Sequence, residues 1–249
     1  MEIAFLRFDA PLMSFGSVAV DQANKTDLYP YRAMLVGLLA NALGHTRDEV
    51  EKHEALQSGL RYAARRDRSG TTLVDFQTVD FRSDGPMASE LGWTAEGELE
   101  ERAGGAASEG THIRYRHYVA DSIVTVAFAL SGEKGLQTDQ VVDALRRPAR
   151  PLFLGRKCCI PSAPVFLELG AAGSLREALS DLPRVDRRGE DGALPAIWPA
   201  SEEADPDRPL WPRVEDRDWR NAIHVGRRMY VEGHVDPPYP STSDRQAAP

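Results

Sequence analysis

At 249 residues the chain is long enough for a sizeable core, and its 42% apolar and 27% charged residues are those of a globular protein in water. No apolar run approaches the roughly 20 residues that span a bilayer, and the charges inside Met1-Glu-Ile-Ala-Phe-Leu-Arg7 do not suit a secretory signal, so a cytoplasmic location is expected. The net charge of −8 excludes a uniformly basic nucleic-acid binder, although phosphate responds to local potential rather than to the average.

Ile3–Phe8 alternates and predicts an opening strand, followed by a turn-prone Asp9–Gly16 and a polar loop over 17–31. Arg32–Leu43 is a strong helix former, apolar on nearly every side, with Gly44 placed as its C-cap. Thr46 stands three residues before Glu49, a capping-box spacing that predicts a second short helix over 46–57. Leu60–Arg66 and Thr72–Thr78 read as strands joined at Asp67–Gly70. Val79–Gly110 dissolves into Gly, Ser, Ala and Glu, and is too long for an ordinary connection. Order returns with the alternating Thr111–Val119, the strand in Asp121–Leu130 and the amphipathic helix Thr138–Arg146. A proline-punctuated loop over 148–164 leads to a short strand at Val165–Leu169 and a small helix at Leu175–Leu182. Residues 183–222 read as mostly irregular, Ile223–Val231 as a late strand, and 237–249 as a flexible tail. The order β-α-(α)-β-β, insertion, β-α-loop-β predicts an α+β fold: a ferredoxin-like (RRM-like) domain over 1–170, a long inserted hairpin at about 79–110, and an irregular, β-containing C-terminal extension over 171–236.

Charge is segregated along the chain. Acids concentrate in Asp48–Glu54 and in the Pro- and Trp-rich Glu190–Asp218, and the acidic, Trp- and Pro-rich character of residues 183–222 suggests a docking surface for another protein subunit. Ala144–Lys157 carries Arg146, Arg147, Arg150, Arg156 and Lys157 with no acid, and Arg61–Arg68 carries four arginines against one aspartate. In Gly155-Arg156-Lys157 the glycine lets backbone N–H groups approach a phosphate, and the two cations complete an anion site. Composition alone reads such a turn as solvated. Thr111–Tyr118 interleaves arginine, histidine and tyrosine, the residue types that bind phosphates and unstacked bases. On a strand Arg114, Arg116 and Tyr118 share one face, while Tyr115 and His117 share the other. The plain alternative is an edge strand guarded by charge. His112 and His117 are also candidate bases for metal-independent RNA cleavage. Cys158 and Cys159 are adjacent, which disfavours a bridge between them and lacks a zinc-site spacing, so packing is expected and neither metal nor cofactor.

Five segments resemble the CasD family of type I-E CRISPR Cascade subunits, within the RAMP superfamily. They are Leu6-Arg-Phe-Asp-Ala-Pro-Leu-Met-Ser-Phe-Gly16, Pro30–Gly44, Asp75-Phe-Gln-Thr-Val79, Arg116-His-Tyr-Val-Ala-Asp121 and Pro151-Leu-Phe-Leu-Gly-Arg-Lys-Cys158, and Val225–Val231 resembles the family's last strand. The resemblance implies a non-catalytic subunit that grips the 5′ handle of the crRNA at one end of the complex. Its implied partners are backbone subunits of CasC type, the large CasA-type subunit that reads target DNA, and a separate CasE-type nuclease that cuts the guide. The RNA contacts it implies are Ser14, Phe15, Arg32, Arg114, Arg116, Arg146, Arg147, Gly155, Arg156 and Lys157, with a thumb carrying Gln77, Arg82, Met87 and Trp93. The chain departs from the family at Tyr31-Arg32-Ala33, where Thr-Lys/Arg-Ser is common, leaving Arg32 as the obvious phosphate ligand at that helix start. Cys158-Cys159-Ile160 likewise stands in place of Ser-Cys-Pro. The alternatives are a guide-processing endoribonuclease, as in type I-C systems, built on His117 or His112, and a stand-alone RRM-like binding module.

Overall fold

Strand β1 (Glu2–Met13) shows how one strand serves two layers. Its side chains alternate, so Ala4, Leu6 and Phe8 enter one buried cluster and Ile3 and Phe5 another. The computed structural model describes residues 1–16, 23–80, 91–93, 99–101, 111–131, 137–186 and 192–240, with backbone alone at 23, 78–80, 91–93, 99–101 and 111–113. After β1 come β2 (Ala23–Asn24), α1 (Arg32–Leu43), α2 (Val50–Gly59), β3 (Leu60–Arg68) and β4 (Thr71–Asp80). The short β5 (Leu91–Trp93) and β6 (Leu99–Glu101) pair with each other inside the insertion, before β7 (Thr111–Leu130). Then follow α3 (Thr138–Arg146), β8 (Phe166–Ala171), α4 (Leu175–Asp181), β9 (Leu194–Pro199), β10 (Leu210–Arg213), β11 (Asp216–Asp218), β12 (Ile223–Val225) and β13 (Arg228–Val235).

The main sheet runs β10-β13-β9-β3-β7-β1-β8. Within it β3-β7-β1-β8, antiparallel at each step, is the order of a ferredoxin-like fold with α1 and α3 as its two crossovers. One face carries α1, α2 and α3 over Leu6, Phe8, Tyr62, Val126 and Phe128. The other carries α4 over Ile3, Phe5, Ala63, Ala127 and Trp198. The α1 C-terminus closes as expected: Gly44 takes φ 81°, and His45 N–H reaches the Ala40 carbonyl at 2.9 Å.

Four stretches differ from the sequence pattern. β1 continues through the turn-prone stretch to Met13, because Ala10 and Leu12 still pair with β7 while Pro11 falls beyond the β8 pairing, where no ladder donor is needed. The segments 111–119 and 121–130 form one strand, kinked where Asp121 takes φ 50°. Its inner half pairs with β1 and β3, and its outer half forms a ribbon with β4 on one side, with β1 as far as Val119 and then β2 at Tyr115 and Arg116 on the other. Within 183–222, β9 carries the fully buried Trp198 into the sheet beside β3. Prolines at 195 and 199 mask its strand pattern. The expected strand over 223–231 is two strands, β12 and β13, parted at Gly226.

Candidate nucleic-acid interface

The loop over 151–164 is fastened along its length. Asn41 Nδ2 donates to the Pro151 carbonyl at 2.9 Å, Ser14 N–H to the Leu154 carbonyl at 3.1 Å, and Ser162 N–H to the Asp9 carbonyl at 2.7 Å. Gly155, with φ 97°, lies so close to the chain that a Cβ there would stand 1.6 Å from the Ser14 carbonyl oxygen. No other residue fits this contact. Arg156 spans the gap to the ribbon: Nη1 donates to the His117 carbonyl at 3.2 Å, Nη2 to the Asn24 carbonyl at 3.1 Å, and the guanidinium sits over the Tyr118 ring at 4.6 Å. Lys157 and Cys158 are exposed at the loop's tip, whereas Cys159 is buried, its thiol pushed up to about 11 by burial.

Beside this loop lies a groove of about 410 Å³. Its floor is one face of α1, Ala33, Met34, Gly37, Leu38 and Asn41. One wall is made by Ser14, Phe15, Gly16, Asn24, Lys25, Phe153, Gly155 and Arg156, and the other by Arg217, Trp219 and His224. Ser14 and Phe15 are almost fully buried, so they shape the wall, with Ser14 Oγ donating to the His117 carbonyl at 3.4 Å.

The ribbon beyond the kink is amphipathic. Register pairs Phe76 with Tyr115 and Val74 with His117 on one face, Asp75 with Arg116 and Gln77 with Arg114 on the other. Val74, Phe76 and Tyr115 are exposed, the two rings 5.5 Å apart. Arg114 is exposed and Arg116 half-buried, and Gln77 Nε2 donates to Asp75 Oδ2 at 2.5 Å. Since neighbours along a strand point oppositely, His117 does not share a face with either arginine. His112 and Trp93 lie in strands whose side chains are outside the described residues, and Arg82 and Met87 are outside them altogether.

Arg32 is placed otherwise than its position at a helix start suggests. It is 2% exposed, paired with Asp216, and donates through Nη1 to the Leu60 carbonyl at 3.2 Å. The start of α1 is instead held by Glu215, also fully buried. Glu215 accepts from Arg32 N–H at 2.5 Å, Tyr62 OH at 3.0 Å and Arg213 Nε at 2.6 Å. This anion at a helix N-terminus fixes the floor of the groove. Burial pushes the Glu215 carboxyl above its ordinary range, opposed by Arg213. Arg146 and Arg147 are exposed at the end of α3, away from the groove's lining. Arg146 covers the Phe166 ring at 4.8 Å beside a separate hollow lined by Pro148, Leu152 and Pro164. Three of the four arginines in the basic run 61–68 are answered by carboxylates, Arg61 by Glu202, Arg65 by Asp67, and Arg68 by Asp121 and Asp186, while Arg66 lies over the Tyr29 ring at 5.3 Å.

Sequence reasoning missed Asn24, Lys25, Met34, Arg217, Trp219 and His224. Lys25 had a signal, as a cation in the polar loop before α1. The others reach the groove only through tertiary packing.

This architecture has relatives. The chain is 28% identical, over 182 residues covering 70% of it and 74% of the relative, to the CRISPR system Cascade subunit CasD of Escherichia coli (strain K12). It superposes at a TM-score of 0.66 and 25% identity on a chain of a CRISPR RNA-guided surveillance complex, covering 95% of this chain and 91% of that one. A second solved structure, of a Cas protein, matches at a TM-score of 0.65 and 26% identity, covering 96% and 98%. The sequence model of the family described as CRISPR-associated protein (Cas_Cas5) matches residues 5–230, the stretch that holds the ferredoxin-like sheet, the pinned loop and both walls of the groove, and the chain belongs to that family.

Proposed function

We propose that this chain is the CasD-type subunit of a cytoplasmic CRISPR surveillance complex, non-catalytic, and that it holds the 5′ handle of the guide RNA against the pinned loop and the groove beside it. The observation that carries this reading is the junction of loop, β2 and ribbon. There Lys25, Arg116 and Lys157 have no carboxylate partner among the described residues, and Gly155 and Arg156 fix the backbone that presents them. Phosphate oxygens are the natural partners of such cations. The basic face of the ribbon, Arg114 and Arg116, would continue the RNA track. Its apolar face, Val74, Phe76 and Tyr115, suits a neighbouring protein of the backbone, of CasC type, with the CasA-type subunit seated nearby and a CasE-type nuclease cutting the guide. Cleavage by this chain would need a base and a cation converging on one phosphate, and the opposite facing of His117 from Arg114 and Arg116 speaks against it.

The test is to mix the full chain with handle-containing precursor RNA in the absence of metal ions. Tight binding that weakens with salt, without cleavage, is expected. Site-specific cleavage abolished by His117→Ala would overturn the non-catalytic reading, and absence of binding would overturn the handle reading.

A further inference from the structure

The β11–β12 hairpin forms a wall of the groove that the family motifs leave out. Two three-residue strands have too little pairing to hold their shape alone, and among the described residues they join no other sheet. Side chains fasten them instead. Gln57 of α2 accepts from Arg217 N–H at 3.0 Å and from Trp219 Nε1 at 3.1 Å, and donates to the Arg217 carbonyl at 3.0 Å. Asp216 pairs with the buried Arg32 and with Arg228 at 3.5 Å. In the turn, Asp218 Oδ1 accepts from the N–H groups of Arg220 and Asn221, both at 2.9 Å, and Ala222 is held at φ 58°, unfavourable for any residue with a Cβ.

All of this fixing serves to hold one cross-strand pair, Arg217 and His224, at the groove. Arg217 is half-buried, and among the described residues no carboxylate pairs with it. Burial lowers its pKa, and the nearby Arg47 lowers it further. A charge withdrawn from water without an anion is costly. His224 Nδ1 is buried without a hydrogen-bond partner among the described residues, and burial, then Arg217, holds the ring below its ordinary pKa. Both residues line the same groove. One is met by an anion and the other by a hydrogen-bonding group, and a phosphodiester-linked nucleotide carries both.

We infer that the β11–β12 hairpin is a second jaw for single-stranded RNA, in which Arg217 engages a phosphodiester and His224 hydrogen-bonds the adjoining nucleotide. This rests on the handle reading and adds to it a grip from the C-terminal part of the chain, across α1 from the Gly155–Lys157 loop. It is tested by fluorescence anisotropy of the full chain with a short 3′-fluorescein-labelled RNA of the handle sequence, over a range of salt. Arg217→Ala should weaken binding roughly ten-fold or more and lower the slope of log K against log salt by about one. In the unaltered chain the same RNA should protect His224 from diethylpyrocarbonate, read by mass spectrometry, and this footprint decides the matter should Arg217→Ala fail to fold. If the wild type binds while Arg217→Ala keeps its affinity and slope, or His224 is modified equally with RNA present, the second jaw is wrong and the handle reading stands. If the wild type does not bind this RNA, the handle reading fails and the jaw with it.

Discussion

Two regions of the molecule treat cations in opposite ways: the core beneath α4 and the rim of the groove beside α1. Beneath α4, Arg65 is fully buried and completely answered. It meets Asp67 at 2.9 Å and donates to the Leu182 carbonyl at 2.8 Å and the Pro183 carbonyl at 3.1 Å, while Thr125 Oγ1 secures Asp67 at 2.6 Å. These bonds satisfy carbonyls at and beyond the C-terminal end of α4 that the helix itself cannot. On the α1 side, Lys25, Lys157 and Arg217 border or adjoin the groove with no carboxylate partner among the described residues. The core places its cations for stability, Arg65 beneath α4 and Arg32 and Arg213 at the start of α1, whereas the rim of the groove presents its own. A sequence count of basic residues mixes the two uses.

Three experiments separate them. The largest effect belongs to the core: Arg65→Met leaves Asp67 buried without its counter-ion and should cost about 3–5 kcal/mol in urea denaturation. Arg116→Ala on the ribbon should stay within about 0.5 kcal/mol of wild-type stability. Equal losses in the two would erase the contrast. Next is Gly155→Ala, where positive φ and the Ser14 carbonyl leave no room for a Cβ. Strain of roughly 1–3 kcal/mol should appear in thermal melts, with a marked loss of handle affinity. Retained affinity would separate the loop from RNA binding. The smallest contrast lies within one basic segment. Arg156→Ala should weaken handle binding by about 1–3 kcal/mol, because it removes both a cation and the tie to β2 and β7. Arg146→Ala, over Phe166 at a different hollow, should change it by less than about 0.5 kcal/mol. The reverse ranking would move the RNA track toward α3.

The main helices, the β-α-β-β order and the loop 151–164 are legible in the sequence because their signals are local: apolar periodicity, a C-cap glycine, prolines that stiffen a crossing. What was hidden depends on partners far along the chain. Arg32 reads as a cation at an exposed helix start until Asp216, 184 positions later, is found beside it. Arg217 and His224 lie in a stretch with no period of its own, and their place is set by Gln57, a polar helix residue that no pattern marks. β9 is masked by its prolines, although it pairs with the middle of β3 and with most of β13.

Strand β7 has a mechanical consequence. Its twenty residues reach about 66 Å if extended, and at Asp121 its pairing on one side passes from β3 to β4, while β1 accompanies it as far as Val119. The loop 151–164 is tied on both sides of that point: to β1 through Asp9 and Ser14, and to the outer arm through the His117 carbonyl and the Tyr118 ring. A load taken by the outer arm of β7 would therefore be shared with the loop through the His117 carbonyl and the Tyr118 ring, and with the core through β1.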